Sequence, residues 1–242
     1  MNDINYKIIP CDAFIVKNKY ITQYIPEIEL KLETFNNDIW KSKFPYYSGV
    51  DCKKLQLTNI GIYSIVSPEN SKNLISVLKN LNILYKFVNN FENLVITDAT
   101  GGVGGFSIRL CKEIKKINIV EISKVHTDII KHNLTAYGAD FTHIKIYNDN
   151  YLDIMHNITQ DVILFDLPWN GPKYKLEKNI SLGLNNINIW YIINDLYINN
   201  RFKICIIIVP KNFNFQEFII HITPNILINK TNKHFYIIVI NV

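Results

Sequence analysis

The chain has 242 residues, 48% hydrophobic and 19% charged, with a formal net charge of +5. That is enough apolar sequence to bury one large α/β core, and too little polarity for an extensively disordered chain. The mild positive balance admits a polyanionic partner such as RNA without requiring one.

The N-terminal residues enter no apolar run long enough for a secretory signal, and no stretch approaches the roughly 18 uncharged apolar residues of a membrane span. Residues 1–60 read as a small helical extension, rich in aromatic and basic residues such as Trp40, Lys41, Lys43, Phe44, Tyr46 and Tyr47. Residues 61–242 read as the main domain. A helix is predicted from about Ser67 to Leu84, with Ser67 as its cap and Pro68 in its first turn. From Leu94 the pattern changes. Leu94–Asp98 reads as a strand, Gly105–Lys115 as a helix and Ile117–Glu121 as a strand. Ser123 caps a second helix that Gly138 ends, and His143–Tyr147 follows as a strand. Val162–Phe165 and Phe202–Val209 read as buried strands, the latter stopped by Pro210, and Ile226–Ile228 with Phe235–Val239 as a terminal pair. Strands alternating with helices predict a mostly parallel sheet, whose ligands bind beyond the strand carboxyl ends.

Two segments carry chemistry, and both follow such ends. The first is Asp98-Ala99-Thr100-Gly101-Gly102-Val103-Gly104-Gly105. Its glycines let the backbone approach a ligand, and the following helix offers free N–H groups. Glu121 ends the next strand, where a carboxylate accepts both ribose hydroxyls of a nucleoside, and Asp149 after the third strand is placed for an adenine amino group. Gly102-Val-Gly104-Gly-Phe-Ser107 also approaches the dinucleotide pattern GxGxxG. Asp98 favours S-adenosylmethionine instead, because a carboxylate suits the ammonium of a methionine tail and repels a pyrophosphate.

The second segment is Asp166-Leu-Pro-Trp-Asn-Gly-Pro-Lys-Tyr174. An aromatic amino nitrogen is a poor nucleophile, since its lone pair is delocalised into the ring. Acceptors on its N–H groups favour the geometry of attack, and holding nitrogen and methyl in line supplies the rest. Asp166 and a carbonyl at Leu167 or Pro168 are the candidate acceptors, with Trp169 stacked on the base. Together the two segments point to methyl transfer to an amino nitrogen of a nucleobase. The bland alternative is that Asp166 caps a turn and Trp169 is core.

These residues resemble the cap guanine-N2 methyltransferases, the trimethylguanosine synthase family. Thr97–Gly105 is similar to that family's Val-Asp-Ala-Phe-Cys-Gly-Val-Gly-Gly, and Leu167–Tyr174 to its Pro-Pro-Trp-Gly-Gly-Pro-x-Tyr. Gly61–Glu69, Asn133–Gly138 and Val209–Asn212 resemble its Gly-Trp-Phe-Ser-Val-Thr-Pro-Glu, Asn-x-x-x-Tyr-Gly and Leu-Pro-Arg-Asn. The resemblance implies a Rossmann-like class I methyltransferase: a mostly parallel seven-stranded sheet with helices on both faces, and an N-terminal extension contributing to the cap pocket. It implies S-adenosylmethionine held by Asp98, Ala99, Thr100, Gly102, Gly104, Glu121 and Asp149, with Ser64 and Ser67 nearby and no metal. It implies catalysis at Asp166, Pro168 and Trp169, with Trp169 on 7-methylguanine. Tyr174, Lys211, Asn212, Lys43, Tyr47 and Ser48 then surround the cap and its phosphates. The implied partner is 7-methylguanosine-capped RNA or a cap nucleotide, not a membrane, and the enzyme is expected to be a monomer. The family has Ser where Asp166 stands, Pro where Leu167 stands and Arg where Lys211 stands.

Asp166 also fits amino methyltransferases acting on adenine-N6 or on guanine within RNA or DNA. A cap- or RNA-binding module that kept the fold without catalysis is the alternative of another class. His126, His132 and His143 read as surface or satisfied residues, none beside the site. Cys11, Cys52, Cys111 and Cys205 form no CxxC pair or zinc spacing, and Cys111 and Cys205 lie in apolar segments. That pattern suits a reducing intracellular compartment, nucleus or cytoplasm, for a cellular or a viral protein.

Overall fold

The computed structural model describes residues 30–34, 37–231 and 233–241. The chain divides into two compact units that meet in sequence between Ile154 and Met155.

In the unit ending at Ile154, α1 (Asn37–Lys43) opens the described chain. It buries Trp40 and, just beyond it, Phe44, whose rings lie 5.5 Å apart. A 3-10 turn at Cys52–Lys54 and the short α2 (Gly61–Ser64) lead to α3 (Pro68–Tyr85). Ser67 caps α3 by accepting the Asn70 N–H at 3.3 Å, and Lys86 ends it in the left-handed region. Leu74, Ile75, Leu78 and Leu81 form its buried stripe, as the helical spacing predicts. Then follow β1 (Val95–Asp98), α4 (Gly105–Leu110), β2 (Lys116–Val120), α5 (Lys124–Ala136), β3 (Ile144–Tyr147) and α6 (Tyr151–Ile154). β1 pairs with β2, and β2 with β3, both in parallel.

α4 is shorter than the predicted Gly105–Lys115. After Leu110 the bonds tighten to three-residue spacing at Lys112 and Glu113, and the Lys115 N–H is taken by Glu92 O, which turns the chain into β2.

In the unit beginning at Met155, β4 (Val162–Phe165), a 3-10 turn (Gly171–Leu176), the two-residue strands β5 (Gly183–Leu184) and β6 (Ile187–Asn188) and α7 (Ile189–Ile198) come first. β7 (Ile204–Pro210), α8 (Phe215–His221), β8 (Ile226–Lys230) and β9 (His234–Ile240) complete it. β4 and β7 are parallel, whereas β9 runs antiparallel to both β7 and β8. Every residue of β4 and β7 is buried, which explains their unbroken apolar runs. β7 ends at Pro210, one residue past the predicted stop, since a proline completes a strand but donates nothing further.

Among the described residues the main sheet has seven strands in the order β3-β2-β1-β4-β7-β9-β8. The sheet is mostly parallel, as expected, with antiparallel pairing confined to β8 and β9. No described helix is long and apolar enough to cross a membrane. Residues 1–29, including Cys11, lie outside the described residues, so the N-terminal extension is described from Leu30 onward. Cys205 is buried and Cys111 half-buried; burial raises both thiol pKa values, that of Cys111 to about 11.

Candidate active site

β1 delivers Asp98 to its carboxyl end with the side chain turned inward, only 2% exposed. Ser107 Oγ donates to Asp98 Oδ2 at 2.7 Å and the Thr100 N–H supports the same carboxylate, so Asp98 ties the loop to α4. Burial raises its pKa to about 6, against the lowering effect of both donors. A native pKa above the unfolded value means that the folded chain binds the proton more tightly. This stabilisation is complete below the unfolded value of 3.8 and is lost as pH rises through about 6. Asp98→Asn is therefore expected to gain on the wild type by about 2 kcal/mol between pH 4 and pH 7, measured by urea unfolding. Parallel pH profiles for the two proteins would contradict this.

The loop turns through Gly102 at φ 54° and Gly104 at φ 94°, where side chains are strained, and Gly104 is the N-cap that precedes α4. Gly105 serves close packing instead: a Cβ there would lie 2.8 Å from the backbone nitrogen of Val66. Glu121, just past β2, closes the loop. Gly102 N–H donates to its Oε2 at 2.7 Å and Ser123 N–H to its Oε1 at 2.8 Å. Asp149 is exposed past β3, its N–H donating to Glu121 O at 3.2 Å and its Oδ1 accepting from Asn150 N–H. Loop, Glu121 and Asp149 thus stand together at the carboxyl ends of three adjacent parallel strands. Ala99 is buried and Thr100 half-buried behind them.

The segment before α3 packs against this loop. A Cβ on Gly61 would approach Val103 Cγ1 to 2.8 Å. Ser64 is exposed, with Oγ donating to Ile60 O, while Ser67 is engaged as the α3 cap. Tyr47 takes a hydrogen bond from Arg109 Nη1 at 3.1 Å and stands edge-on to Tyr137, so it is built into this unit as well as half-exposed. Lys43 is half-buried and Ser48 exposed.

His126 departs from expectation. It is buried, with Nδ1 3.9 Å from Glu121 Oε1 and Nε2 3.1 Å from Thr58 Oγ1, so it does stand beside the site. The sequence reads it as a surface or satisfied residue away from the site; only the folded chain reveals its neighbours Thr58 and Glu121.

The other set of site residues belongs to the second unit. Asp166 and Trp169 are half-buried, Leu167 is 2% exposed and Pro168 is exposed. Asn170 (φ 68°) and Gly171 (φ 61°) are consecutive left-handed residues. Asn is among the few side chains that tolerate that conformation, which accounts physically for Asn170 where the resemblance has glycine. The turn brings Tyr174 edge-on to Trp169, with centroids 5.2 Å apart and planes at 76°. Asn212, after β7, clamps this turn. Its Nδ2 donates to Tyr174 O at 2.7 Å and Glu177 O at 2.8 Å, and its carbonyl accepts Ile180 N–H. Both side-chain N–H groups are thereby used on backbone, leaving exposed Lys211 beside it as the cation of that pair. Among the described residues no three His, Cys, Asp or Glu side chains group as metal ligands.

A glycine loop after β1, a carboxylate after β2 and a mostly parallel seven-stranded sheet with an antiparallel β9 define the class of Rossmann-like methyltransferases. Residues 93–240 match the model of the RNA cap guanine-N2 methyltransferases, and the chain belongs to that S-adenosylmethionine-dependent family. It is 30% identical over 130 residues to uncharacterized protein L320 of Acanthamoeba polyphaga mimivirus, an alignment covering 52% of this chain and 50% of that one. It is 27% identical over 154 residues to the trimethylguanosine synthase of Schizosaccharomyces pombe, covering 62% and 59%. The chain thus spans only about half to three-fifths of these relatives. In fold it is similar to the T. thermophilus 16S rRNA N2 G1207 methyltransferase in complex with AdoMet and guanosine, with TM-score 0.52, 12% identity, and 73% and 44% coverage. It is similar too to a precorrin 8w decarboxylase from Methanobacterium thermoautotrophicum, with TM-score 0.51, 12% identity, and 73% and 91% coverage.

Proposed function

We propose that this chain transfers a methyl group from S-adenosylmethionine to the exocyclic N2 amine of 7-methylguanosine at an RNA cap. The product is 2,7-dimethylguanosine, and 2,2,7-trimethylguanosine where the monomethylated amine re-enters. The observation that carries this reading is the family match over residues 93–240, which runs through both the glycine loop and the Asp166–Tyr174 segment.

The donor set suits the cofactor. Glu121 is held by two backbone N–H groups with its carboxylate set to receive ribose hydroxyls. Asp149 is exposed for the adenine amino group, and Ser64 and Ser67 lie on the segment packed against the loop. Asp98 acts by holding Thr100 and α4 in place, and an ammonium set against its carboxylate keeps it ionised. When bound, the cofactor supplies an electrophilic methyl.

The chain's own residues deal with the acceptor. Trp169 stacks on the base, braced by Tyr174. Methylation at N7 makes guanine cationic, which adds about 0.5–2 kcal/mol of cation–π attraction over the unmethylated base. Asp166 and the Pro168 carbonyl accept from the amine and turn its lone pair toward the methyl. No strong base is required, because the methylated ammonium loses its proton readily. Lys211 faces the cap phosphates as a point charge in place of the bidentate arginine of the family pattern. Lys43, Tyr47 and Ser48 are the N-terminal residues that the resemblance assigns to the substrate, and Asn212 holds the turn that carries Tyr174.

A second reading rests on Asp166, an acidic residue ahead of Leu-Pro-Trp that suits adenine-N6 methylation. Incubation with labelled S-adenosylmethionine separates the two. Label is expected in 7-methyl-GDP, about 2- to 30-fold less in GDP, and none in an adenine oligonucleotide. Transfer to the oligonucleotide alone would establish the second reading instead.

A further inference from the structure

The motif Asn133–Gly138 and the buried His126 have a use that the reaction itself does not account for. α5 presents one edge to residues 45–64, the strap that leads into α2. Tyr137 O–H donates to Pro45 O at 2.7 Å, and His132 Nε2 lies 2.6 Å from Lys54 O. Asn133, fully buried, exchanges two hydrogen bonds with the Gln56 backbone and donates a third to Val103 O at 3.1 Å, inside the glycine loop. His126 Nε2 meets Thr58 Oγ1, which itself accepts the Gly61 N–H at 2.8 Å. The other nitrogen of His126 faces Glu121.

One assignment of protons satisfies these groups together. Thr58 takes the Gly61 N–H and gives its own hydrogen to His126 Nε2, which leaves the proton on Nδ1, the ring nitrogen 3.9 Å from Glu121 Oε1. A part-buried carboxylate that must stay correctly turned gains from such a neighbour. At 3.9 Å the contact is longer than a direct hydrogen bond, an electrostatic neighbour to a carboxylate whose two oxygens accept from Gly102 and Ser123 N–H.

We propose that His126 is a positioning residue that joins the cofactor's ribose carboxylate to the strap, so that cofactor binding and strap docking reinforce each other. The inference rests on reading Glu121 as the ribose ligand. The path runs from ribose to Glu121, across 3.9 Å to His126, then to Thr58 and the amide of Gly61 at the start of α2. Coupling is reciprocal by thermodynamic necessity, so a bound nucleoside must hold the strap more firmly if the docked strap favours the nucleoside. Because α2 carries Ser64 and the strap carries Tyr47 and Ser48, the same coupling would arrange the N-terminal substrate residues once cofactor is bound.

The test uses S-adenosylhomocysteine with the whole chain. In the wild type its binding is expected to slow hydrogen exchange at the amides of Gln56 and Gly61 about tenfold. His126→Asn keeps a donor toward Glu121 and drops Thr58; His126→Gln reaches Thr58 and drops Glu121. Both are expected to raise the S-adenosylhomocysteine Kd and the S-adenosylmethionine KM about tenfold, to keep kcat at saturation within about twofold, and to abolish the exchange effect. Unaltered exchange in the liganded wild type, or wild-type affinity in both variants, would overturn the proposal. Glu121→Ala separates the two levels. If it binds S-adenosylhomocysteine normally, the reading of Glu121 fails and the proposal with it. If it loses affinity while the His126 variants do not, only the role of His126 is refuted.

Discussion

Trp169→Ala is expected to lower kcat/KM for 7-methyl-GDP several hundredfold while S-adenosylhomocysteine affinity stays within about twofold of wild type. Stacking of one base on an aromatic side chain contributes about 1–3 kcal/mol, and the cationic 7-methylguanine adds about 0.5–2 kcal/mol. A combined loss of about 3–4 kcal/mol corresponds to several hundredfold, at about 1.4 kcal/mol per factor of ten. The variant is also expected to lose its preference for 7-methyl-GDP over GDP, because only the methylated base carries the charge. Trp169→Phe retains a ring and is expected to restore most activity but little of the preference. The Trp169 ring is braced edge-on by Tyr174, in a turn fixed by two bonds from Asn212, so removing the indole leaves the clamped backbone in place. Full activity of Trp169→Ala on 7-methyl-GDP would mean that this ring does not hold the base.

The second large effect is at Glu121. Its two oxygens receive the N–H groups of Gly102 and Ser123, one from the glycine loop and one from the residue that caps α5. Glu121→Ala therefore removes more than the two bonds proposed to ribose. It also leaves two loop donors unsatisfied, at about 1–3 kcal/mol each where water cannot replace the carboxylate. The expected result in calorimetry is a loss of S-adenosylhomocysteine affinity of at least about a hundredfold, with a lower Tm in the free protein. Glu121→Gln is not a mild substitution here. An amide places an N–H₂ against one of the two N–H donors, so it is expected to bind nearly as poorly as the alanine variant. Wild-type affinity in Glu121→Ala would remove Glu121 from the cofactor site.

The seven strands of the main sheet were legible in the sequence as short apolar segments, most plainly β4 and β7, where burial on both faces leaves the run unbroken; the two-residue β5 and β6 were not. α7 and α8 were not read from it. In α7, Ile189, Ile192, Ile193 and Leu196 do recur at helical spacing behind the Asn188 cap, but the chain is so rich in Ile and Asn that this stripe merges with its background. α8 has a reciprocal cap, with Asn214 accepting from the Glu217 N–H and donating to its carboxylate, a signal that was available. Of the candidate site, the loop and the residues at strand ends followed from local pattern. Three features needed the folded chain: Asp98 turns inward to Ser107, Asn212 spends its donors on the Tyr174 turn, and His126 meets Glu121. Each is a contact between segments far apart in sequence or on a face that periodicity alone does not orient.

The most direct measurement is the site of methylation on 7-methyl-GDP. The nucleotide is incubated to completion with methyl-labelled S-adenosylmethionine, and the product is fragmented by mass and assigned by NMR. The expected product carries the label on the exocyclic N2 of the base, with ribose and phosphates unchanged. Label on the ribose, or on GDP while 7-methyl-GDP stays unmodified, would contradict cap guanine-N2 transfer by this chain.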